Sequence, residues 1–420
     1  MKKRGFTLLE AVLYLAIAGV VIYFISGFAF NAIFGKAKIE SIQEVSEGSR
    51  SVLDQISSAI SNSSEINGLE VDVPPGETVP WYDVSWIYRK KITIDKTKVP
   101  NTDQTNFPVL VSLTGLSNIN ANGTDIRFTD STGTGELARE IESYSAGTLV
   151  AWVKVPVLST SANTDIYMYY GSSGASEPSP RSAYGSQKVW DDGGSNYFKG
   201  VWHLADPTNP VDSTDANNGT NSGSTATVGQ VDGGAYFTSA NYISLGASNL
   251  FTPTTASTLS FWVKTSNTHY QRLFVFERAS GSSAMALNIA VSTGAGDDNN
   301  GKPYAFYRNS SDILLSMIGP SSIADGNWHY LSYTINNTVG SLYVDGISAA
   351  TASDISVSKT FNFSSDNALI NYFTSNGLNP GYLDESRFSN TARSADWIKT
   401  EYNNQSSPAT FYTVGSEETP

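Results

Sequence analysis

Side chains able to do chemistry are scarce in this chain. Three histidines and no cysteine occur among 420 residues, which excludes thiol catalysis, disulfide staples and cysteine-based zinc sites. His203 sits in Val201-Trp202-His203-Leu204 and His329 opens Trp328-His329-Tyr330-Leu331, contexts that suit structural histidines better than catalytic bases. Carboxylates are plentiful, 39 against 26 Lys and Arg, but their pairs are poorly placed for joint work. Glu70-Val71-Asp72 runs into prolines, while Asp191-Asp192 and Asp297-Asp298 lie among Gly and Asn as loop pairs do. Asp384 and Glu385 are adjacent, so on a strand they point to opposite faces. No Gly-x-Ser-x-Gly elbow, P-loop or His-Glu-x-x-His occurs. One loop, Asp212-Ser213-Thr214-Asp215-Ala216-Asn217-Asn218-Gly219, gathers hard oxygen donors closed by a glycine. That composition suits a calcium loop or a polar turn of Asx hydrogen bonds, and its spacing is not that of an EF-hand.

The elements that would carry these groups divide into two styles. Charged residues make up 15% and aromatics 12%, with many Gly, Ser, Thr and Asn. This mixture favours short strands and polar turns over a helical bundle. A net charge of −13 without a basic block excludes nucleic acid as a partner, because phosphate neutralisation needs clustered Lys and Arg. The N-terminus differs. After Lys2, Lys3 and Arg4, the chain is free of charge from Ala11 to Phe34, long enough to cross a hydrocarbon core. The basic residues keep that end cytoplasmic. Ile39, Ile42, Val45, Val52, Ile56 and Ile60 then recur at helical steps, predicting an amphipathic continuation. Glu10, in the first turn of the apolar helix, is costly there unless paired.

Lys3-Arg4-Gly5-Phe6-Thr7-Leu8-Leu9-Glu10 closely resembles the processing site of type IV prepilins and pseudopilins. The resemblance implies cleavage after Gly5 by a prepilin peptidase, methylation of the new Phe6 amine, and a Glu10 that neutralises this amine on a neighbouring pilin subunit during assembly. A buried carboxylate and a buried ammonium are each costly alone and tolerable together. Pilin heads commonly end in a disulfide-closed loop, which a chain without cysteine cannot make.

Residues 62–81 carry Pro74-Pro75-Gly76 and Pro80 and read as a linker. Strand-like runs follow at 86–94, 107–111, 125–129, 149–155 and 166–170, separated by polar turns. Their order, over 82–185, resembles domain of unknown function 2341, which implies a β-sandwich at a prokaryotic surface but no activity. Beyond a second boundary at 171–180, the features Asp325-Gly326-Asn327-Trp328-His329, Leu342-Tyr343-Val344-Asp345-Gly346 and Tyr382-Leu383-Asp384-Glu385-Ser386-Arg387-Phe388 resemble the laminin-G-like, concanavalin A-like lectin/glucanase jelly rolls. That resemblance covers 186–417, leaving 418–420 as a tail. Asp345-Gly346 between apolar alternations predicts a hairpin turn. Hydrolases of this superfamily usually alternate carboxylates along one strand, as Glu-x-Asp-x-Glu. No such string is found, so no catalytic residue is assigned. The resemblance also allows one structural Ca²⁺, with Asp212, Asn217 and Asp384 as ligands. Tyr270, Tyr304, Tyr307, Tyr372 and Phe373, near strand or loop ends, are candidates for stacking on a sugar.

The expected fold is therefore a long N-terminal α-helix, acting as transmembrane segment and filament rod, followed by two all-β sandwich domains. The domains are a leader 1–5, a helix 6–61, a linker 62–81, the sandwich 82–185 and a concanavalin A-like jelly roll 186–417. The expected location is a single-pass cytoplasmic-membrane precursor with its C-terminus outside, displayed on the cell surface or pilus after processing. The expected function is adhesion to an extracellular glycan or matrix protein, without enzymatic activity. A filament or pseudopilus subunit with a spacer head is the alternative, and a tethered glycan hydrolase the third reading.

Overall fold

Val, Ile, Tyr, Trp and Thr alternate with polar residues through most of the chain beyond residue 85. Such segments lie flat in a pleated, half-buried sheet rather than in a helix. The computed structural model describes residues 79–191, 198–238, 240–247, 256–269, 271–277, 286–291, 301–308, 314–336, 339–353, 367–371 and 380–420. Glu77–Pro420 forms one compact unit, built among the described residues from four antiparallel sheets paired into two sandwiches.

In the first sandwich, a five-stranded sheet runs Tyr412–Glu418, Tyr88–Ile94, Thr164–Tyr170, Arg127–Thr129, Glu136–Leu137. It faces a three-stranded sheet of Gln104–Leu113, Thr148–Leu158 and Arg139–Ser145. Ile92, Phe128 and Met168 from one sheet meet Phe107, Val109 and Val153 from the other in a dry core. The Thr148–Leu158 strand is buried continuously from Leu149 to Val153, because Trp152 packs against His203 of the second sandwich.

The second sandwich pairs an eight-stranded sheet with a seven-stranded one. Phe261, Leu331 and Leu383 of the first meet Leu273, Phe274 and Ile370 of the second. At the centre of the eight-stranded sheet, Ala256–Lys264 lies between Trp328–Asn336 and Gly381–Ser389, and the latter also pairs with Phe198–Trp202 and Gly233–Phe237. Asp345 and Gly346 form the turn between Val339–Val344 and Ile347–Ser353, both with positive φ, as the Asp-Gly pair predicts. His329 reaches Asp345 Oδ2 through Nδ1 (2.8 Å) and Asp325 Oδ1 through Nε2 (3.2 Å), which ties that turn to the sheet.

After the jelly roll the chain returns to the first sandwich. Ser394 caps the helix Ala395–Ser406 by accepting from the Trp397 amide at 3.1 Å. The helix covers Trp262, Tyr330 and Tyr343 on the outer face of the eight-stranded sheet with Ile398 and Tyr402. It also packs on Gln104–Leu113, an edge strand whose outward backbone groups need partners. Asn404 supplies one pair, accepting from the Leu110 N–H (2.7 Å) and donating to the Leu110 carbonyl (3.0 Å). Tyr412 Oη does the same for Ser112 at 2.7 and 2.9 Å. The last strand then completes the five-stranded sheet beside Tyr88–Ile94. Sequence resemblance gives 186–417 to one jelly roll, yet the final helices and strand close the other sandwich.

Two expectations are corrected. Among the described residues the α-helices are Ala395–Ser406 and Pro408–Phe411, and the fold is mostly β-sheet, so the structure does not show the long N-terminal helix. No helix there is long and apolar enough to cross a membrane, so the single-pass membrane anchor is not shown either. The physical reason is that this part of the chain satisfies its backbone groups across strands, and its β-branched, Ser- and Gly-rich segments form poor helices. Residues 6–61, on which the helix was expected, lie outside the described residues.

Asn404→Ala should leave the Leu110 amide and carbonyl buried without partners and destabilise the unit by about 2–4 kcal/mol in chemical denaturation. A second measurement concerns His329. Its hydrogen bond to Asp345 and the two aspartate charges outweigh partial burial and raise its pKa. The stabilisation is complete below the free imidazole value of about 6.5 and is lost as pH rises through the higher folded value. His329→Gln should therefore flatten that part of the fall in Tm with rising pH.

Candidate functional site

Two features of the described residues have the makings of a site: a charged cluster sealed between the sandwiches and an aromatic row on an outer sheet face.

The cluster begins with two carboxylates two residues apart on Arg139–Ser145. Such spacing sends both to one face of a strand, here the face turned to the second sandwich. Glu142 falls where the pairing with Thr148–Leu158 slips by a residue between Ile141 and Ser143, a bulge that re-aims its side chain. Glu385 occupies a comparable position on Gly381–Ser389, where pairing with Ala256–Lys264 shifts between Ser260 and Trp262. Its φ of 50° is unusual for a side-chain-bearing residue, and surrounding contacts must hold it there. His203, just beyond Phe198–Trp202, stands between them. Its Nδ1 lies 2.7 Å from Glu385 Oε1 and 3.5 Å from Glu142 Oε2, and its Nε2 lies 3.5 Å from Glu140 Oε2. Arg387 donates to Glu385 Oε2 and to Glu401 Oε1, both at 2.6 Å.

Two indoles enclose these charges. Trp152 stacks on His203 at 5.7 Å and donates to Glu142 Oε2 at 2.8 Å, while Trp190 donates to Glu140 Oε2 at 2.6 Å. The Arg387 guanidinium lies over both rings, 4.2 and 4.9 Å from their centroids. Burial lowers the His203 pKa, but Glu385, Glu142 and Glu140 together outweigh it and raise the imidazole well above its ordinary value. Burial also pushes Glu142 up to about 8 against the pull of His203. For Glu140, burial is overcome by His203 and by hydrogen bonds from Ser213 and Trp190, which hold it low. Chemically this is a carboxylate–imidazole cluster able to hold a proton or a cation. It is closed to a polymeric substrate.

The second feature faces outward. Tyr236, Tyr382, Lys264 and Trp328 are register partners on four neighbouring strands of the eight-stranded sheet. All four side chains are half-buried. Tyr236 and Tyr382 lie 5.1 Å apart, Trp328 meets Tyr382 edge-on at 6.2 Å, and Lys264 Nζ stands 5.5 Å over the Tyr382 ring. The row spans about 14 Å at the usual strand spacing. Helix Ala395–Ser406 covers the same face at Trp262 and Tyr330, and Trp328 packs against the edge of that covered cluster.

The sequence-selected residues are distributed differently. Gly5, Phe6 and Glu10 lie outside the described residues, as do Tyr270, Tyr372 and Phe373. Tyr307 is on strand Pro303–Arg308, and Tyr304 on the same strand is buried against Phe306 with ring centroids 5.1 Å apart. Asp212 and Asn217 do come together, yet Asp212 is spent on hydrogen bonds within its own loop and to the strand Phe198–Trp202. It accepts from the amides of Val201, Thr214 and Asn217 and from the Thr214 hydroxyl, at 2.7–3.0 Å. Asp384 is elsewhere, accepting the amides of Gln230 and Val231 at 2.8 Å each. Asp384 shares no hydrogen-bond partner with Asp212 or Asn217. Glu140, Glu142, Arg387 and Glu401 were missed, although Glu140-Ile141-Glu142 carries the alternation that marks two carboxylates on one strand face.

Comparison with known proteins bears on the fold. Residues 237–399 match the concanavalin A-like lectin/glucanases superfamily, a laminin G domain, and residues 122–202 match a domain of unknown function (DUF2341). The chain carries two named domains. Neither match reaches residues 1–121, so the prepilin resemblance, with its peptidase and pilin partners, finds no support there. No curated protein matches the chain. Among solved structures, domain 4 of AbnA, a GH43 extracellular arabinanase from Geobacillus stearothermophilus, is similar at 15% identity and a TM-score of 0.40, over 49% of this chain and 98% of that one. The binding domain of Paraclostridial Mosquitocidal Protein 1 is similar at 12% identity and 0.39, over 49% of this chain and 52% of that one. The receptor binding domain of botulinum neurotoxin D is similar at 13% identity and 0.38, over 50% of this chain and 53% of that one. The chain thus spans about half the length of the toxin domains, and at these scores none of the three carries an argument about function.

The charged cluster has a direct test of its structural weight. Arg387→Met keeps most of the volume but leaves Glu385 and Glu401 as buried charges without their guanidinium. Chemical denaturation should show a loss of about 3–5 kcal/mol.

Proposed function

We propose that the 77–420 unit is a carbohydrate-binding module whose platform is the row Tyr236, Tyr382, Lys264 and Trp328. The observation that carries this reading is the row itself, on a domain that matches a lectin and glucanase superfamily. Sugars offer apolar C–H faces between hydroxyl edges. A run of half-exposed rings meets the first, and the Lys264 ammonium and Tyr382 hydroxyl meet the second. Presentation on a sheet fixes the ring spacing before binding, which reduces the entropy lost on contact.

Binding without hydrolysis fits the same geometry. A retaining glycosidase needs two carboxyl groups about 5 Å apart that flank an accessible bond. The close carboxylates Glu142 and Glu385 are instead enclosed between the sandwiches with side-chain exposures of 3% and 0%. Adhesion to an extracellular glycan is the biological role this module would serve.

Binding of the full chain to an immobilised glycan panel tests the proposal. Tyr382→Ala and Trp328→Ala should each weaken retained binding at least tenfold, about 1.4 kcal/mol, with no sugar released from the bound glycan. Wild-type chain that binds no glycan, or variants that bind as well as wild type, would sink it.

A further inference from the structure

We propose that Glu142, His203 and Glu385 bind a divalent transition-metal ion between the two sandwiches. The inference does not rest on the glycan-binding reading. One ligand atom from each of the three residues lies within 4.8 Å of the others. A zinc ion held at about 2.0–2.2 Å from each ligand would set neighbouring ligand atoms about 3.3 Å apart. The 2.7 Å from His203 Nδ1 to Glu385 Oε1 and the 3.5 Å to Glu142 Oε2 bracket that value. Small side-chain shifts therefore suffice.

The hydrogen bonding points the same way. Glu140 Oε2 faces His203 Nε2 and places an acceptor where that nitrogen's N–H would be. Without a metal, Nδ1–H donates to Glu385 Oε1 at 2.7 Å, and a cation would take the place of that proton between the imidazole and the two carboxylates while Glu140 keeps the Nε2–H. An outer carboxylate that orients a ligating imidazole is a common supporting element of metal sites. Independently, Glu142 Oε1 is buried and accepts no hydrogen bond, although its side chain is only 3% exposed. A buried carboxylate oxygen without a donor is costly, and coordination would satisfy it as a fourth donor.

The charge balance leaves room for a divalent ion. With His203 a neutral ligand, the linked carboxylates Glu140, Glu142, Glu385 and Glu401 share one guanidinium, Arg387. Oxygen and imidazole donors without thiolate suit zinc or manganese. Trp190, whose indole bonds to Glu140, also borders a cleft of about 290 Å³ lined by Lys188, Asp191 and Phe198, so solvent lies one ring away.

The full chain, expressed with added zinc and freed of loosely held ions, should retain about one zinc per chain by elemental analysis. Its X-ray absorption should show only nitrogen and oxygen donors, with a single imidazole. Glu142→Gln keeps the shape and an acceptor for Trp152, and should retain less than a tenth of that zinc. Three results would overturn the proposal: a wild type without stoichiometric metal, which would leave a proton as the shared positive centre; a Glu142→Gln chain that keeps its zinc; or a spectrum with more than one imidazole. The absorption measurement needs no variant, so a misfolded Glu142→Gln leaves the test intact.

Discussion

Charge can leave water only where opposite charge and hydrogen bonds replace the lost hydration, and this condition organises the junction of the two sandwiches. Arg387 is the pivot. Its guanidinium joins Glu385, from the same strand, to Glu401, from the C-terminal helix, and lies on Trp152 of the first sandwich and Trp190 beside it. His203 extends the network to Glu140 and Glu142 on the facing strand. Each group is tolerable only because the others are in place, so strand, helix and neighbouring sandwich must assemble together.

This coupling accounts for the route of the chain. A jelly roll that merely followed another domain would need no return. Here the C-terminal helix contributes Glu401 to the cluster and Asn404 to the edge of the first sandwich from one short element. The final strand then pairs with Tyr88–Ile94, so the beginning and end of the described unit close on each other. Two matched domains thus make one compact body. Strained backbone at Glu385 persists because carboxylate, guanidinium and imidazole contacts all hold it.

The same packing decides where an outer surface is left open. The helix covers the sheet at Trp262 and Tyr330, and two positions further out on those strands Lys264 and Trp328 are half-buried with Tyr382 and Tyr236, Trp328 against the edge of the covered cluster. Rings that would otherwise be ordinary core become a ledge with fixed spacing. A rigid unit beneath them suits recognition of an extended ligand.

Much of the architecture was legible in the residues alone. Period-two alternation marked the strands, Asp345-Gly346 marked its hairpin turn, and the absence of cysteine removed whole classes of chemistry, because these are local or compositional properties. The helical pattern at the N-terminus lies outside the described residues, and nothing in the described part takes its place. The sites were far less legible. Asp212 looked like a metal ligand because composition cannot tell an acceptor of backbone amides from a donor to a cation. Tyr304 looked like a platform and is core. Glu140-Ile141-Glu142 showed its shared face in the sequence, but its partner His203 lies 63 residues from Glu140 and 182 from Glu385. Only two bulges and the docking of the sandwiches bring them together, since side-chain alternation is set residue by residue whereas convergence depends on where whole sheets meet.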